Sequence, residues 1–420
     1  MEDPLLFKQV CVVGLGYIGL PTAAVFASRG IHVKGVDVNP KVIEAINLGN
    51  VHIIEPGLEP LVKEVVSSGM LKAYSTPQEA DAYVIAVPTP FEEGYKPDLS
   101  YVFDASRSIA SSLKKGDLIV LESTCPVGTT EQVSKILSEL RTDLSFPHQN
   151  QENPDIHLAY CPERILPGKA LEELIENDRI IGGMTPMCSQ KACELYKTFV
   201  KGECLFTQAR TAEMAKLTEN AFRDVNIAFA NELSLICEKL NINVWELIKL
   251  ANHHPRVNVL RPGPGVGGHC IAVDPWFLVW SCPIEAKMIR MAREINDGKP
   301  HHVISRVENV SKDLQGPDIA CFGLSFKPDI DDLRESPSLE IVKHLAQKHH
   351  TQKFFVVEPN VSELPSSLKG CSNVQLASSQ EALENTKIAL MLVNHKEFYD
   401  IPASQLKHHH IIDTQGVWAA

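Results

Sequence analysis

No apolar run in this sequence approaches the roughly 18 residues that a membrane-crossing helix needs, so a helical span is excluded. Dense blocks of lysine and arginine are also missing, and the formal charge is −12. A general nucleic-acid binder, which must neutralise phosphates with clustered cations, is therefore not expected. Eleven cysteines follow no framework spacing, which excludes a disulfide scaffold and suits reduced thiols in a reducing compartment. The nearest pair, Cys188 and Cys193, has no further Cys or His pair in register, so no metal site is expected and the pair reads as two small hydrophobes on one helix. The start, "MEDPLLFKQVCVVG", has two acids where a signal peptide has basic residues, and it runs straight into a strand. A cytoplasmic protein is expected. Hydrophobic residues at 44% and charged residues at 22% of 420 positions describe ordinary globular composition and a chain of two or three domains.

What is present begins with residues 9–37, which read strand, turn, helix, strand. The apolar run "QVCVV" meets Gly14, Gly16 and Gly19, an apolar helix follows, and a second strand ends at Asp37. This is the dinucleotide fingerprint in its proper setting. Gly14 permits the tight turn, Gly16 lets the backbone approach a pyrophosphate, and Gly19 lets helix pack on strand, with the helix N-terminus facing the anion. A carboxylate at Asp37 accepts hydrogen bonds from ribose hydroxyls and repels a 2′-phosphate, so NAD is expected rather than NADP. Further strands at "AYVIAVPTP" (82–90) and "DLIVLESTCPVG" (117–128) end in Thr, Pro and small residues, which makes Thr89 and Thr124 candidates to line the cofactor crevice.

Neither proline nor glycine occurs between Glu203 and His254. The stretch "TQARTAEMAKLTENAFRDVNIAFANELSLICEKL" predicts one helix of about thirty residues, and "VWELIKLANHH" a further one. So long a helix is expected to link two domains and to offer a dimerisation surface. Lys216, Asn220 and Arg223 fall at i, i+4 and i+7, hence on one face; a solvated surface stripe explains that spacing equally well. The last third repeats the logic of the first without its glycines: "DIACFGLSFKPDIDDLRESPS", "KFFVVEPNV" and "TKIALMLVNH" follow the order of the first three strand ends. A second nucleotide-binding domain is expected there, with Lys327 and Arg334 near a strand end as a pair suited to phosphates. The histidines at 408–410 lead into an apolar strand.

Four glycines crowd the stretch "RPGPGVGGHC" ahead of Cys270. Such a loop lets a ligand come close to the main chain, and Gly267 and Gly268 are expected to leave the thiol sterically open. Beside a nicotinamide site, a nucleophilic cysteine has a specific use. Plain alcohol dehydrogenation needs no covalent residue, but a primary alcohol oxidised to an aldehyde can be trapped as a thiohemiacetal, oxidised again to a thioester, and hydrolysed to an acid.

"VVGLGYIGLPTAAVFAS", "ESTCPVG", "YCPERILPG", "EMAKLTENAFRDVNIAFANEL", "HHPRVN", "GPGVGGHCIAVDP" and "GLSFKPDIDDLRESP" together closely resemble the UDP-sugar 6-dehydrogenases, over residues 9–418. The resemblance implies an α/β fold of two doubly wound Rossmann-like domains joined by a long central helix and helical region: 1–205 binding NAD, 206–300 helical and dimerising, 301–420 binding the UDP-sugar. It implies Cys270 as nucleophile, Lys216 as acid/base or oxyanion support, Glu163 in thioester hydrolysis and Asp274 holding the water. It further implies substrate contacts from Arg164, Ile165, Lys216, Asn220, Arg223, His254, Arg256, Gly267 and Lys327, with Arg256 reaching a partner subunit's site. Tyr17, Ile18, Asp37, Thr89, Thr124 and Arg334 match NAD-contacting positions, beside the fingerprint glycines. The implied substrate is a UDP-N-acetylhexosamine, with the mannosamine sugar first and its C2 epimer, the glucosamine sugar, as alternative; the implied assembly is a homodimer.

One position departs from that pattern. Where the family has a basic residue after its last strand, this chain has Gln415, and Lys407 is a candidate to supply the missing charge. Weaker substrate binding is expected, not loss of activity. Two rivals stand beside this expectation. A single-step dehydrogenase of a 3-hydroxy acid would share the fingerprint and a helix lysine but would have no use for Cys270. An NAD-sensing regulatory protein would leave the cysteine loop unexplained.

Overall fold

The short apolar runs at the two ends of the chain become the strands of two separate sheets. The computed structural model describes residues 7–166, 168–268 and 270–418, and the chain divides into two units, Met1–Thr218 and Glu219–Ala420. Unit 1 contains β1 (Gln9–Val13), β2 (His32–Val36), β3 (Leu71–Tyr74), β4 (Ala82–Ile85), β5 (Leu118–Leu121), β6 (His157–Tyr160), β7 (Arg179–Gly183) and β8 (Cys204–Gln208). Their order in the sheet is β3-β2-β1-β4-β5-β6-β7-β8. Only the β6–β7 pairing is antiparallel. Both faces of this sheet are covered. Val10 and Val12 face one apolar cluster while Cys11 and Val13 face the other, the period-two alternation that a strand imposes. Strand order reverses between β1 and β4, the point where an open α/β sheet forms its crevice.

Unit 2 has β9 (Ile319–Phe322), β10 (Phe354–Val357), β11 (Val374–Leu376), β12 (Ile388–Met391) and β13 (His410–Asp413), all parallel and ordered β11-β10-β9-β12-β13. The internal repeat expected from the sequence holds at atomic level. Gly14 (φ +93°) and Gly323 (φ +92°) both turn left-handed after the first strand of their sheets. The N–H of Gly14 donates to Val36 at 2.8 Å and that of Gly323 to Val357 at 2.9 Å. A Cβ at either glycine would press on the chain after the neighbouring strand, on Ala86 O at 2.5 Å or on Val393 Cβ at 2.4 Å. The acids that follow differ in use. Glu358 is buried against an equally buried His395 at 3.1 Å, whereas Asp37 remains half-exposed.

The breaker-free stretch forms the helix Ala209–Leu240 of 32 residues. Thr207 and Gln208, expected to open it, instead complete β8, because they pair with Gly182 and Gly183 of β7. The helix ends at Asn241 in the left-handed conformation (φ +54°), a role asparagine fills more easily than most residues. Asn243 then caps Val244–Ala251 by accepting from Trp245 N and Glu246 N. This second helix stops three residues short of the predicted span: Asn252 turns aside to bond both the N–H and C=O of Val259, and Pro255 disfavours continuation. Among the described residues no helix is long and apolar enough to cross a membrane.

The long helix is tied to Lys287–Asp313 by a buried polar network. Arg293, almost wholly buried, donates to Asp224 Oδ1 at 2.6 Å and pairs with Asp297. Asn296 donates to the same Asp224 oxygen at 2.8 Å, and Asn231 donates to Asn296 at 2.9 Å. Removing one partner of such a pair strands a buried charge, at a cost of about 3–5 kcal/mol. Arg293→Met is therefore expected to lower the urea midpoint of unit 2 strongly, as followed by tryptophan fluorescence; an unchanged midpoint would show that the pair is dispensable.

Candidate functional site

In unit 1 the fingerprint glycines divide their work. Gly19 packs so tightly that a Cβ there would lie 1.8 Å from Gly14 O, yet a Cβ at Gly16 would meet nothing within 4 Å. Gly16 therefore fronts open space at the start of Gly19–Ser28, whose N-cap residue Ile18 makes no side-chain cap and whose first turn holds no acid. Uncapped N–H groups at a helix start suit an anion. Tyr17 stands exposed beside them. The Asp37 carboxylate accepts from Leu15 N at 3.1 Å and Asn39 N at 2.8 Å, which aims it at the same turn. These features fit a dinucleotide with free ribose hydroxyls.

Thr89 and Thr124 follow the C-terminal ends of the paired strands β4 and β5, both half-exposed. Ser123 joins the two loops, accepting from Val87 N at 2.9 Å and donating to Val87 O at 2.8 Å. Nearby, Glu213 of the long helix caps Thr129–Leu140, accepting from Gly128 N at 2.5 Å and from Thr130 N and Oγ1 at 2.8 and 2.7 Å. Lys216 stands about one turn beyond this anchor.

Glu163 is buried after β6. One of its oxygens accepts from Arg164 N at 2.7 Å and the other from Arg179 at 2.6 Å. Arg179 reaches on to Glu122, 3.2 Å away, and Tyr196 donates its hydroxyl to the same Glu122 oxygen at 2.5 Å. Burial pushes the Glu122 carboxyl up to about 7, against the downward pull of Arg179. Arg164 turns its guanidinium to the carbonyl of Asp178, and Ile165 packs on the apolar core.

The remaining candidates fall in unit 2. Cys270 is exposed, and its carbonyl accepts from Val273 N and Asp274 N at 3.1 and 2.8 Å. It thus begins the turn that leads into Asp274–Ser281. Asp274 is buried and accepts from Asn220 Nδ2 at 2.5 Å, so two residues 54 positions apart meet beside the cysteine. Asn220 lies one turn after Lys216 on the same helix. Arg223 is exposed, and so are His254 and Arg256 in the loop fixed by Asn252, where Arg256 N donates to His254 Nδ1 at 3.3 Å.

The glycines before Cys270 have a different cause from the one expected. A Cβ at Gly265 would lie 2.8 Å from Pro337 Cβ, and one at Gly267 would lie 2.6 Å from Glu335 O and 2.7 Å from Phe326 Cβ. Gly268 (φ +78°) faces the Phe326 ring. Glycine is required here because the loop docks on the segment that carries Lys327 and Arg334, not simply to leave space around the thiol. Lys327 is half-buried, while Arg334 forks onto Asp332. Gln415 donates its amide to Leu392 O at 2.8 Å. Lys407 precedes β13 and Gln415 follows it, which puts them at opposite ends of a four-residue strand.

The sequence reading missed Arg179, Glu213 and Arg293 and gave Glu122 no role. A carboxylate directly after "LIVL" was the available signal, since that run is buried on every side.

Taken with the sheet order and the open turn at Gly16, the chain is a two-sheet nucleotide enzyme of the NAD-dependent dehydrogenase type. Its sequence matches the UDP-glucose/GDP-mannose dehydrogenase family in three parts: the NAD binding domain over residues 8–200, the central domain over 210–298 and the UDP binding domain over 320–420. The chain belongs to this family and is an NAD-dependent nucleotide-sugar dehydrogenase. It is 60% identical to a UDP-N-acetyl-D-mannosamine dehydrogenase of Campylobacter jejuni, over 95% of this chain and 98% of that one. It is 58% identical to an NDP-N-acetyl-D-galactosaminuronic acid dehydrogenase of Ralstonia nicotianae, over 99% and 97%. The solved structure of a UDP-D-ManNAc dehydrogenase from Pyrococcus horikoshii superposes with TM-score 0.86 at 38% identity, covering 97% of this chain and 96% of that one.

Cys282, also exposed, caps the C-terminal end of the helix that Cys270 introduces and serves as an internal control. Brief iodoacetamide treatment at neutral pH is expected to label Cys270 about tenfold faster than Cys282, as read by peptide mass spectrometry. Equal labelling would mean that the helix start does not activate the thiol.

Proposed function

We propose that this chain oxidises the C6 alcohol of UDP-N-acetyl-D-mannosamine to UDP-N-acetyl-D-mannosaminuronate through a covalent stage on Cys270. The observation that carries this conclusion is the exposed Cys270 at a helix start, with Asp274 oriented beside it by Asn220. Overall, one alcohol, two NAD and one water give one carboxylate, two NADH and three protons. Bound NAD supplies the hydride acceptor. Gly14, Gly16, Tyr17, Ile18, Gly19, Asp37, Thr89 and Thr124 hold it; Arg334 joins them only by leaving Asp332.

Lys216 takes the proton of the C6 hydroxyl and steadies the oxyanion that develops there. The Cys270 sulfur then adds to the aldehyde carbon, forming a C–S bond and a thiohemiacetal whose second oxidation leaves a thioester. Asp274 and Glu163 position a water that attacks the thioester carbon. The C–S bond breaks and the thiol is regenerated. Arg164, Ile165, Asn220, Arg223, His254, Arg256, Gly267 and Lys327 contact the UDP-sugar. We divide the chain into an NAD-binding part (1–205), a helical dimerising part (206–300) and a UDP-sugar-binding part (301–420).

The name of the Ralstonia relative favours a second sugar, the N-acetylgalactosamine nucleotide. Initial rates on the UDP-linked N-acetylated mannosamine, galactosamine and glucosamine sugars separate these readings, and a preference of about 10- to 100-fold for the mannosamine sugar is expected. Cys270→Ser is expected to lower overall turnover at least about 100-fold with NAD binding retained; turnover near wild type would favour a single-step dehydrogenase.

We further propose a cytoplasmic homodimer. Phe222, Phe229, Ile236 and Leu240 are exposed at spacings of seven, seven and four along the long helix, an apolar stripe suited to the same stripe of a second copy. Phe222→Glu with Phe229→Glu is expected to elute as a monomer in size-exclusion chromatography with light scattering. Because Arg256 is assigned to the partner's site, that monomer should also lose activity. A variant that remains dimeric would locate the interface elsewhere.

A further inference from the structure

Arg179 stands between two carboxylates, and only one of them has been given a task. Its side chain is buried, with the guanidinium 4.2 Å from the Tyr196 ring centre and 6.0 Å from that of Phe199. It pairs with Glu163 at 2.6 Å and with Glu122 at 3.2 Å. Glu122 has no exposed side-chain surface, and its Oε2 has no hydrogen-bond partner. A fully ionised carboxylate would leave that oxygen unsatisfied in a dry interior, at considerable cost. If both carboxylates ionise, one guanidinium must neutralise two charges; if Glu122 keeps its proton, the whole guanidinium charge is available to Glu163.

We propose that Glu122, acting through Arg179, sets the charge balance and orientation of the Glu163 carboxylate and so is a positioning residue for hydrolysis of the Cys270 thioester. This rests on the assignment of Glu163 to that step. The groups facing Glu122 are Arg179 on β7, Glu163 after β6, Tyr196 on the helix Pro186–Tyr196 and the buried thiol of Cys161 at the end of β6. Of these, Arg179 favours the ionised form of Glu122, Glu163 opposes it, and the Tyr196 hydroxyl favours it. The direction follows. As pH rises and Glu122 loses its proton, the Arg179 guanidinium is divided between two anions, and its hold on the Glu163 oxygen 2.6 Å away slackens, freeing that carboxylate to receive the proton of the attacking water. The water proton goes to Glu163, the oxygen joins the thioester carbon, and the sulfur leaves with the C–S electron pair.

Glu122→Gln keeps the shape and removes the titration. The acyl-enzyme is formed by mixing enzyme, NAD and UDP-N-acetyl-D-mannosamine, and its decay is followed by quenched intact-mass spectrometry across pH 5.5 to 9. The ratio of wild-type to Gln decay rates is expected to rise about fivefold with pH, in a single step near neutrality. Tyr196→Phe, which deletes the hydroxyl that favours ionised Glu122, should move that step to higher pH. A merely structural role would shift all pH values together, so a ratio that is constant across the range overturns the proposal, whatever its size. Glu163→Gln, run in parallel, should accumulate the acyl adduct. If it hydrolyses the adduct at the wild-type rate, the assignment of Glu163 falls, independently of the Glu122 result.

Discussion

The buried pair of Arg293 and Asp224 is the interaction on which the placement of the cysteine depends. Through Asn296 and Asn231 it fastens the helix Lys287–Asp313 to the long helix, and Asn231 in turn accepts from Gly263 N at 2.9 Å, at the start of the glycine loop. Arg293 also reaches the carbonyl of Ile271, 3.4 Å away, immediately after Cys270. Both ends of the loop are thus referred to one buried guanidinium. Buried ion pairs add little net stability compared with apolar packing, but they penalise every arrangement that separates them. For the loop that carries Cys270, that penalty selects one path of the chain.

Much of the fold was legible in the chain. Gly14, Gly19 and Asp37 announced the first β-α-β turn because each answers a local steric or hydrogen-bonding demand. The breaker-free stretch announced a helix whose end is within a residue of Leu240 as predicted. The repeat in unit 2 was legible too, since Gly323 and Glu358 reproduce the Gly14 and Asp37 contacts. What could not be read is what burial does to that second acid: the enclosure of Glu358 by His395 arises from β12, far away in sequence.

The candidate site was legible only in part, for the same reason. Cys270 drew attention through its glycines, yet the force that selects them is contact with Phe326, Glu335 and Pro337, which no local pattern encodes. The pairing of Asn220 with Asp274, and that of Glu163 with Arg179, join residues 54 and 16 positions apart. Tertiary geometry alone turns a list of candidates into a connected set. Gln415 shows the converse: where the resemblance led to the expectation of a basic residue, its amide takes up a backbone carbonyl.

The proposed route assigns Cys270 the covalent capture of the aldehyde and Asp274 and Glu163 the water that releases the acid. The most direct test is the stoichiometry of NADH with limiting UDP-N-acetyl-D-mannosamine and excess NAD. Two NADH per sugar, with the uronate as the only product, are expected if Cys270 retains the aldehyde. One NADH per sugar, with aldehyde in solution, would contradict the covalent route.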